Sequence, residues 1–360
     1  MGGGDNKLEV TTTQSDIKIL REQGFTLEKV VGEGSYAKVY KSTHIIDETR
    51  HVVVACKVID TAQAHRDYLN KFLPRELDIL IRIHHPHIVH VSCIFQRRSK
   101  YFIFLRFAEK GDLLDFLAAN GAIPENQSRL WMRQIMSALN YMHAMNVAHR
   151  DLKCENILIT VNFNVLITDF GFARSVKQRD KDVLSETYCG SLSYAAPEVL
   201  KGVPYLPKMA DVWSIGIIMY TMLNKALPFN ETSVKKLYEK QLMRKWKFRS
   251  SIVSQLSNEC KQLVTSLLEP EGKLRPTAGD VLKGAWISMD PRLTKSTPME
   301  ESLLKQAEEK QREGDEDQEA ERMAEIRRKA RGKEGLKILK NPDTNYMKST
   351  PLFDDKETKN

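Results

Sequence analysis

The chain has 360 residues, 41% hydrophobic and 28% charged, enough for one large or two ordinary domains with an ample core. Its formal charge of +8 raises nucleic acid as a partner, but lysines and arginines are interleaved with acids throughout; ordinary surface charge is the better reading, and no nucleic-acid partner is expected. Five scattered cysteines (Cys56, Cys93, Cys154, Cys189, Cys260) have no metal-ligand spacing and an odd count, which argues against a disulfide frame and fits reduced thiols of a cytoplasmic protein.

Residues 1–24 are polar and Thr-rich and read as a flexible leader without a signal peptide. Gly2 invites a lipidation reading, but Asn6 stands where that signal wants Ser or Thr. Short β-rich runs follow at Phe25–Val31, Ala37–His44 and Val52–Ile59, the first two joined through Gly32 and Gly34. Leu73, Leu77 and Leu80 share a helical face, with the firm part of that helix starting at Pro74. Ile88–Gln96 and Tyr101–Phe107 are again β-like. After Gly111 the character turns helical, at Leu113–Ala119, Gln127–Met145, Lys208–Leu223 and between Ser233 and Ile287, interrupted only at Ile157–Thr160 and Val165–Thr168. The longest apolar run, Val212 to Leu223, is too short to span a bilayer and reads as a buried helix. Residues 288–360 are charged and poor in aromatics, an appendage without its own core, largely disordered or partly helical over Gln306–Lys333. The expectation is an α+β, two-lobed domain over 25–287: a small β-rich lobe to about residue 107, a helical lobe after it, and a cleft near Arg106–Gly111.

Four motifs carry chemistry. Gly32-Glu33-Gly34-Ser35-Tyr36-Ala37-Lys38-Val39 would let backbone N–H groups approach phosphates without a Cβ in the way, although Gly-x-Gly also marks ordinary hairpins. A dinucleotide fold is disfavoured because a strand, not a helix, follows the glycines. Lys57 closes an apolar strand, Val54-Ala55-Cys56-Lys57, within reach of such phosphates, and Glu76 on the following helix could orient it; alone, each reads as surface charge. His149-Arg150-Asp151-Leu152-Lys153-Cys154-Glu155-Asn156 supplies a carboxylate to receive a hydroxyl proton and an amide oxygen for Mg²⁺. Asp169-Phe170-Gly171 adds a second hard ligand, and Ala196-Pro197-Glu198 closes the segment that contains Thr187.

In this order and spacing the motifs resemble the eukaryotic protein kinases over residues 25–287, and Lys153 matches the serine/threonine class. The resemblance implies transfer of the γ-phosphoryl of ATP to Ser or Thr of protein substrates. Asp151 and Lys153 would be catalytic, Lys57 with Glu76 would hold the phosphates, and Asn156 and Asp169 would hold Mg²⁺. Val31, Gly32, Glu33, Gly34, Ser35, Val39, Ala55, Leu105, Phe107, Asp112 and Leu158 would surround the nucleotide. It further implies that Asp211 supports the catalytic loop and that Glu198 pairs with Arg275. Independently of the resemblance, Thr187 reads as a site for an activating kinase, because Arg150 and Arg174 could supply the charge partners of a phosphate there. The Gly-Glu-Gly-Ser-Tyr-Ala-Lys-Val and Tyr-Cys-Gly-Ser-Leu-Ser-Tyr-Ala-Ala-Pro-Glu runs are similar to the testis-specific serine/threonine kinases of the calmodulin-dependent kinase group, which implies a role in spermatogenesis. Ala37 at the third glycine position agrees with that family; Arg106, where an acid is common, departs from it. Asp112, Glu155 and Glu239 match acidic positions that read arginine upstream of the phosphorylated residue. A pseudokinase scaffold is disfavoured because Lys57, Glu76, Asp151, Asn156 and Asp169 are all present. Met323–Lys340 is basic with spaced apolar residues, but its glycines and lack of aromatic anchors argue against a calmodulin target.

Overall fold

The computed structural model describes residues 12–34, 37–62, 69, 73–178, 181–182, 191–313 and 337–340. Gly2, Ser35, Thr187 and most of Met323–Lys340 lie outside them. The chain divides into two compact units, one built from residues 1–71, 90–107 and 324–360, the other from 72–89 and 108–323.

The first unit is one antiparallel sheet of β1 (Phe25–Glu33), β2 (Ala37–Ile45), β3 (His51–Asp60), β4 (Val91–Arg97) and β5 (Lys100–Arg106), in the order β1-β2-β3-β5-β4. Alternation sorts its side chains onto two faces. Val54, Cys56, Val58, Phe102 and Phe104 turn to one side and form a core with Phe25, Phe95 and Leu20. Ala55, Lys57, Leu105 and Val39 turn to the other, because Lys57 lies opposite Val39 and Ala55 opposite Leu105 in the ladder.

Leu20 belongs to α1 (Gln14–Glu22), a helix where the sequence reads as loose leader. Polar composition hid two local devices. Thr13 and Asp16 form a capping box, with the Thr13 N–H donating to Asp16 Oδ2 at 3.0 Å and the Asp16 N–H to Thr13 Oγ1 at 3.2 Å. Asp16 also pairs with Arg97 and, at 3.0 Å, with Lys100, while Leu20 is 1% exposed in the core. One apolar anchor and one paired acid therefore fasten α1 to the sheet. Along the free side of β4, a last strand of residues 337–340 pairs antiparallel with it, Lys337 opposite Gln96 and Lys340 opposite Cys93, so part of the tail is ordered as strand.

The second unit begins with α2 (Leu73–Arg82), which groups with the helices and not with the strands, because the turn after it is bonded to them. The His84 N–H donates to the Tyr141 hydroxyl, and the Val89 N–H to the Ile167 carbonyl at 2.9 Å. Then come α3 (Leu113–Asn120), α4 (Glu125–Ala144), β6 (Val147–Ala148), the hairpin β7 (Ile157–Ile159) and β8 (Val165–Ile167), β9 (Arg174–Ser175), and the short pair β10 (Lys177–Gln178) and β11 (Lys181–Asp182). α5 (Pro197–Lys201), α6 (Pro207–Asn224), α7 (Val234–Leu242), α8 (Ser250–Val253), α9 (Asn258–Leu267), α10 (Ala278–Leu282), α11 (Ala285–Ser288) and α12 (Pro298–Glu313) complete it, and the tail strand is β12 (Lys337–Lys340). Ile88, read as the start of a strand, instead forms an isolated parallel bridge to β8, and β4 begins only at Val91. From Val212 to Leu223 α6 is largely apolar and correspondingly buried. At Gly216 a Cβ would come within 2.9 Å of Leu267 and Leu268, so only glycine permits α6 to approach so closely there. α12 starts earlier than the tail pattern indicates and is docked on α4 by buried Glu300 and Ala307.

Burial alone would raise the Asp16 carboxyl; the Thr13 N–H and hydroxyl and Lys100 outweigh it and bring the group from 3.8 down to about 2. A depressed acid stabilises the fold above its unfolded value and loses that contribution as pH falls through the folded one. Asp16→Asn is expected to cost about 2 kcal/mol at neutral pH, and this deficit should shrink between pH 3.8 and about 2. Chemical unfolding followed by circular dichroism measures both. Equal midpoints for the two proteins at pH 7 would show that the Asp16 charge adds nothing to stability.

Candidate active site

The site in the helical unit is organised by a buried carboxylate. Asp211, in the first half of α6 and 1% exposed, accepts the His149 N–H at 2.9 Å and the Arg150 N–H at 2.8 Å. The same Oδ2 meets His143 Nε2 at 3.1 Å. These bonds secure Arg150 at φ 65°, a left-handed conformation that a side chain of its size adopts at a cost of about 1 kcal/mol. The turn so formed delivers Asp151, 4% exposed, directly after it.

Around Asp151 the predicted residues converge. Lys153 Nζ lies 2.9 Å from Asp151 Oδ2. Asn156 donates from Nδ2 to the Asp151 carbonyl at 2.8 Å, which fixes the amide orientation, since that carbonyl can only accept. Ser191 closes the other side: its N–H donates to Asp151 Oδ1 at 2.9 Å and its hydroxyl to the same atom at 3.2 Å. Lys153 also donates to Ser191 Oγ at 3.2 Å, so acid, lysine and serine form one network.

The β7–β8 hairpin brings the second acid alongside. Ile157 pairs with Ile167, and the Thr168 N–H donates to the Asn156 carbonyl at 3.0 Å, so Asn156 and Asp169 leave the same end of the hairpin. Asp169 too is left-handed, at φ 65°. Behind it, Phe170 is buried against the His149 ring with centroids 5.1 Å apart, and His149 Nε2 donates to the Thr168 carbonyl at 3.0 Å. Asp169 Oδ1 and Glu76 Oε2 lie 3.5 and 3.6 Å from the point where a Cβ on Gly171 would sit, which brings the α2 acid to this site as well.

Asp112 caps α3 by accepting the Asp115 N–H at 2.9 Å, and an isolated bridge sets it beside Leu158. Burial first, then the neighbouring Asp115 charge, raises its carboxyl above the usual range. Away from the catalytic loop, Arg275 donates to Glu198 at 2.6 and 2.8 Å and stacks its guanidinium 5.0 Å from the Trp213 ring centroid. The strand unit carries Lys57, Ala55, Val39 and Leu105 on the face opposite its core. There Gly32 pairs with Val39, the Gly34 N–H donates to the Ala37 carbonyl at 2.8 Å, and Glu33 pairs with Lys38. Val31 and Glu33 end β1, and Phe107 follows β5.

The sequence family described as "Protein kinase domain" matches residues 25–287. The chain belongs to the protein kinase family. Its relatives include the mouse testis-specific serine/threonine-protein kinase 1, 39% identical over 77% of this chain and 75% of the relative. The human testis-specific serine/threonine-protein kinase 4 is 35% identical over 80% and 89% of the two chains, and the mouse testis-specific serine/threonine-protein kinase 3 is 38% identical over 75% and 98%. With Lys153 following His-Arg-Asp-Leu, this protein kinase is of the serine/threonine class. Family membership implies protein substrates, ATP and a divalent metal. Among the described residues, no helix of this kinase is long and apolar enough to cross a membrane.

Two members of the network were not foreseen. Ser191 was visible only as part of the segment before Ala-Pro-Glu, with no spacing to tie it to Asp151. His143 read as one more residue of α4. Thr187 and Ser35, both expected to act, fall outside the described residues. Arg150, expected to help receive a phosphate at Thr187, donates from Nε to the Phe172 carbonyl at 2.8 Å.

Proposed function

We propose that this kinase, a cytoplasmic protein of male germ cells, moves the γ-phosphoryl group of ATP onto Ser or Thr hydroxyls that follow arginine in its protein substrates, and so acts in spermatogenesis. The observation that supports the chemistry most directly is the joined set of Asp151, Lys153 and Asn156, with Asp169 leaving the adjoining hairpin. The germ-cell setting rests on the names of the relatives.

The residues fit Mg²⁺. With Asn156 Nδ2 turned to Asp151, the amide oxygen remains to face a cation, and the Asp169 carboxylate supplies the second hard oxygen. Magnesium, when bound, neutralises charge on the β- and γ-oxygens. Lys57 and Glu76, together with the backbone N–H groups of the Gly32-Glu33-Gly34-Ser35 run, would hold the phosphates. Val31, Val39, Ala55, Leu105, Phe107 and Leu158 supply apolar surface for the base, and Asp112 a ribose contact. Asp151, held by Lys153 and Ser191, accepts the proton of the incoming hydroxyl as that oxygen bonds to phosphorus and the bond to the leaving diphosphate breaks. Lys153 then steadies charge on the transferring group. No covalent step falls to the protein; positioning and electrostatics carry the rate. In an assay with labelled ATP and a generic basic protein, Asp151→Asn should lose at least ~100-fold in turnover while binding nucleotide as before. Turnover surviving intact in that variant would remove Asp151 from this role.

Substrate choice is proposed to lie with Asp112, Glu155 and Glu239. Asp112 and Glu155 share a neighbourhood, since both charges oppose ionisation of Cys154, and Glu155 is exposed. A peptide library should show selection for Arg three residues before the acceptor, weakened severalfold by Glu155→Gln. A flat response to basic, neutral and acidic peptides would reject this. Thr187 is proposed as the site of an activating kinase. Thr187→Ala should lower turnover of protein treated with germ-cell extract; a variant as active as wild type would dispose of that idea.

A further inference from the structure

Glu300 stands 13 residues beyond the end of the matched kinase domain, yet it is one of the most enclosed acids of the helical unit, at 5% exposure. The segment before it wraps Arg133 of α4, whose guanidinium donates to the carbonyls of Leu293 at 3.4 Å and Lys295 at 2.9 Å. Arg133 also pairs with both Glu300 oxygens, at 2.9 Å to Oε2. Thr297 caps α12 reciprocally with Glu300, through bonds of 2.8 and 3.2 Å. Burial would raise the Glu300 carboxyl, but the bonds from Arg133, Ser137 and the Thr297 N–H bring it down to about 2, so it is an anion at working pH.

One bond of Glu300 leads elsewhere. Its Oε1 accepts the Ser137 hydroxyl at 2.6 Å, and Ser137 Oγ meets His85 Nε2 at 3.2 Å. His85 Nδ1 accepts the His87 N–H at 3.1 Å, so the proton of the ring is on Nε2 and points at Ser137. Every donor in this chain therefore has one direction, from the His87 N–H through His85 and Ser137 to Glu300. Burial above all, then the adjoining His87, lowers His85 to about 3, which keeps the ring neutral, as the chain of bonds requires.

The turn that His85 occupies joins α2 to the β7–β8 hairpin. It directly follows the helix that carries Glu76. The His87 carbonyl accepts the Ile167 N–H at 2.9 Å, the Val89 N–H donates to the Ile167 carbonyl at 2.9 Å, and His87 Nδ1 donates to the Val165 carbonyl at 3.1 Å. Ile167 lies two residues before Asp169. We propose that Glu300 is a positioning residue for catalysis: through Ser137 it fixes the His84–Val89 turn, and through that turn the settings of Glu76 and Asp169. The segment after the kinase domain is then an integral brace of the active site, absent from the residues that define the family.

The discriminating variant is Ser137→Ala in the full chain. It removes the link to His85 and leaves the Arg133–Glu300 pair intact, whereas Glu300→Gln strands a buried arginine and risks misfolding. Ser137→Ala should lower kcat about threefold to tenfold, with KM for the peptide within about twofold and the unfolding midpoint within about 2 °C of wild type. Hydrogen exchange at the Val89 and Ile167 amides should quicken, and Ser137→Thr, which keeps the hydroxyl, should restore both properties. The amide exchange reads the brace independently of the reading of this chain as a kinase, and only the kcat arm rests on that reading. Unchanged exchange in Ser137→Ala would overturn the proposal, as would an unchanged kcat or an equal loss of kcat in Ser137→Thr.

Discussion

A single buried carboxylate sets the geometry on which the helical unit's chemistry depends. Asp211 takes two consecutive backbone N–H groups, from His149 and Arg150, and a charged acceptor makes each such bond stronger than a neutral one. The alternative cost is high, because an ion at 1% exposure without those donors would be severely desolvated. The loop therefore cannot relax Arg150 out of its left-handed conformation without stranding a charge. Local strain is held by a larger electrostatic term, and Asp151 inherits a fixed direction.

A second constraint comes from the β7–β8 hairpin, which is too short to be a sheet in its own right. Its function is spacing. Three pairs, Ile157 with Ile167 through Ile159 with Val165, fix the register between Asn156 and Asp169. A slip of one residue would turn the side chains to the other face and separate the two hard oxygens. The apolar side chains of Ile157, Ile159, Val165 and Ile167 are all buried, so hydrophobic packing specifies that register.

Much of this was legible in the sequence. The β-rich and helical halves followed from the switch in period, and the chemistry-bearing residues followed from motifs whose spacing is short and rigid: Asp151, Lys153 and Asn156 lie within one turn and its 3-10 continuation. What escaped were pairings between residues distant in sequence that have no periodic signature. Asp16 with Lys100, Ser191 with Asp151, and Glu300 with Arg133 each join one polar residue to another across 40 to 167 positions. Composition records such residues as solvated charge, so α1 read as leader and α12 as appendage. A Thr followed three residues later by an acid, at Thr13–Asp16 and Thr297–Glu300, was the one local signal for both helix starts.

The same physics makes Cys154, set between Lys153 and Glu155, a buried and neutral thiol. The thiol is 0% exposed. Burial, reinforced by the Glu155 and Asp112 charges and only partly offset by a bond with Tyr194, pushes it up to about 12. A nucleophilic cysteine needs the reverse, a positive surrounding that favours the thiolate. Negative charge here instead surrounds the loop on the Asp112 and Glu155 side, while Lys153 turns its ammonium to Asp151 and Ser191. Charge is thus partitioned across the loop, with the Lys153 cation directed to Asp151 and the thiol kept neutral in the packing beneath it. That partition suits a direct transfer between bound groups, in which the protein orients both partners and bonds covalently to neither.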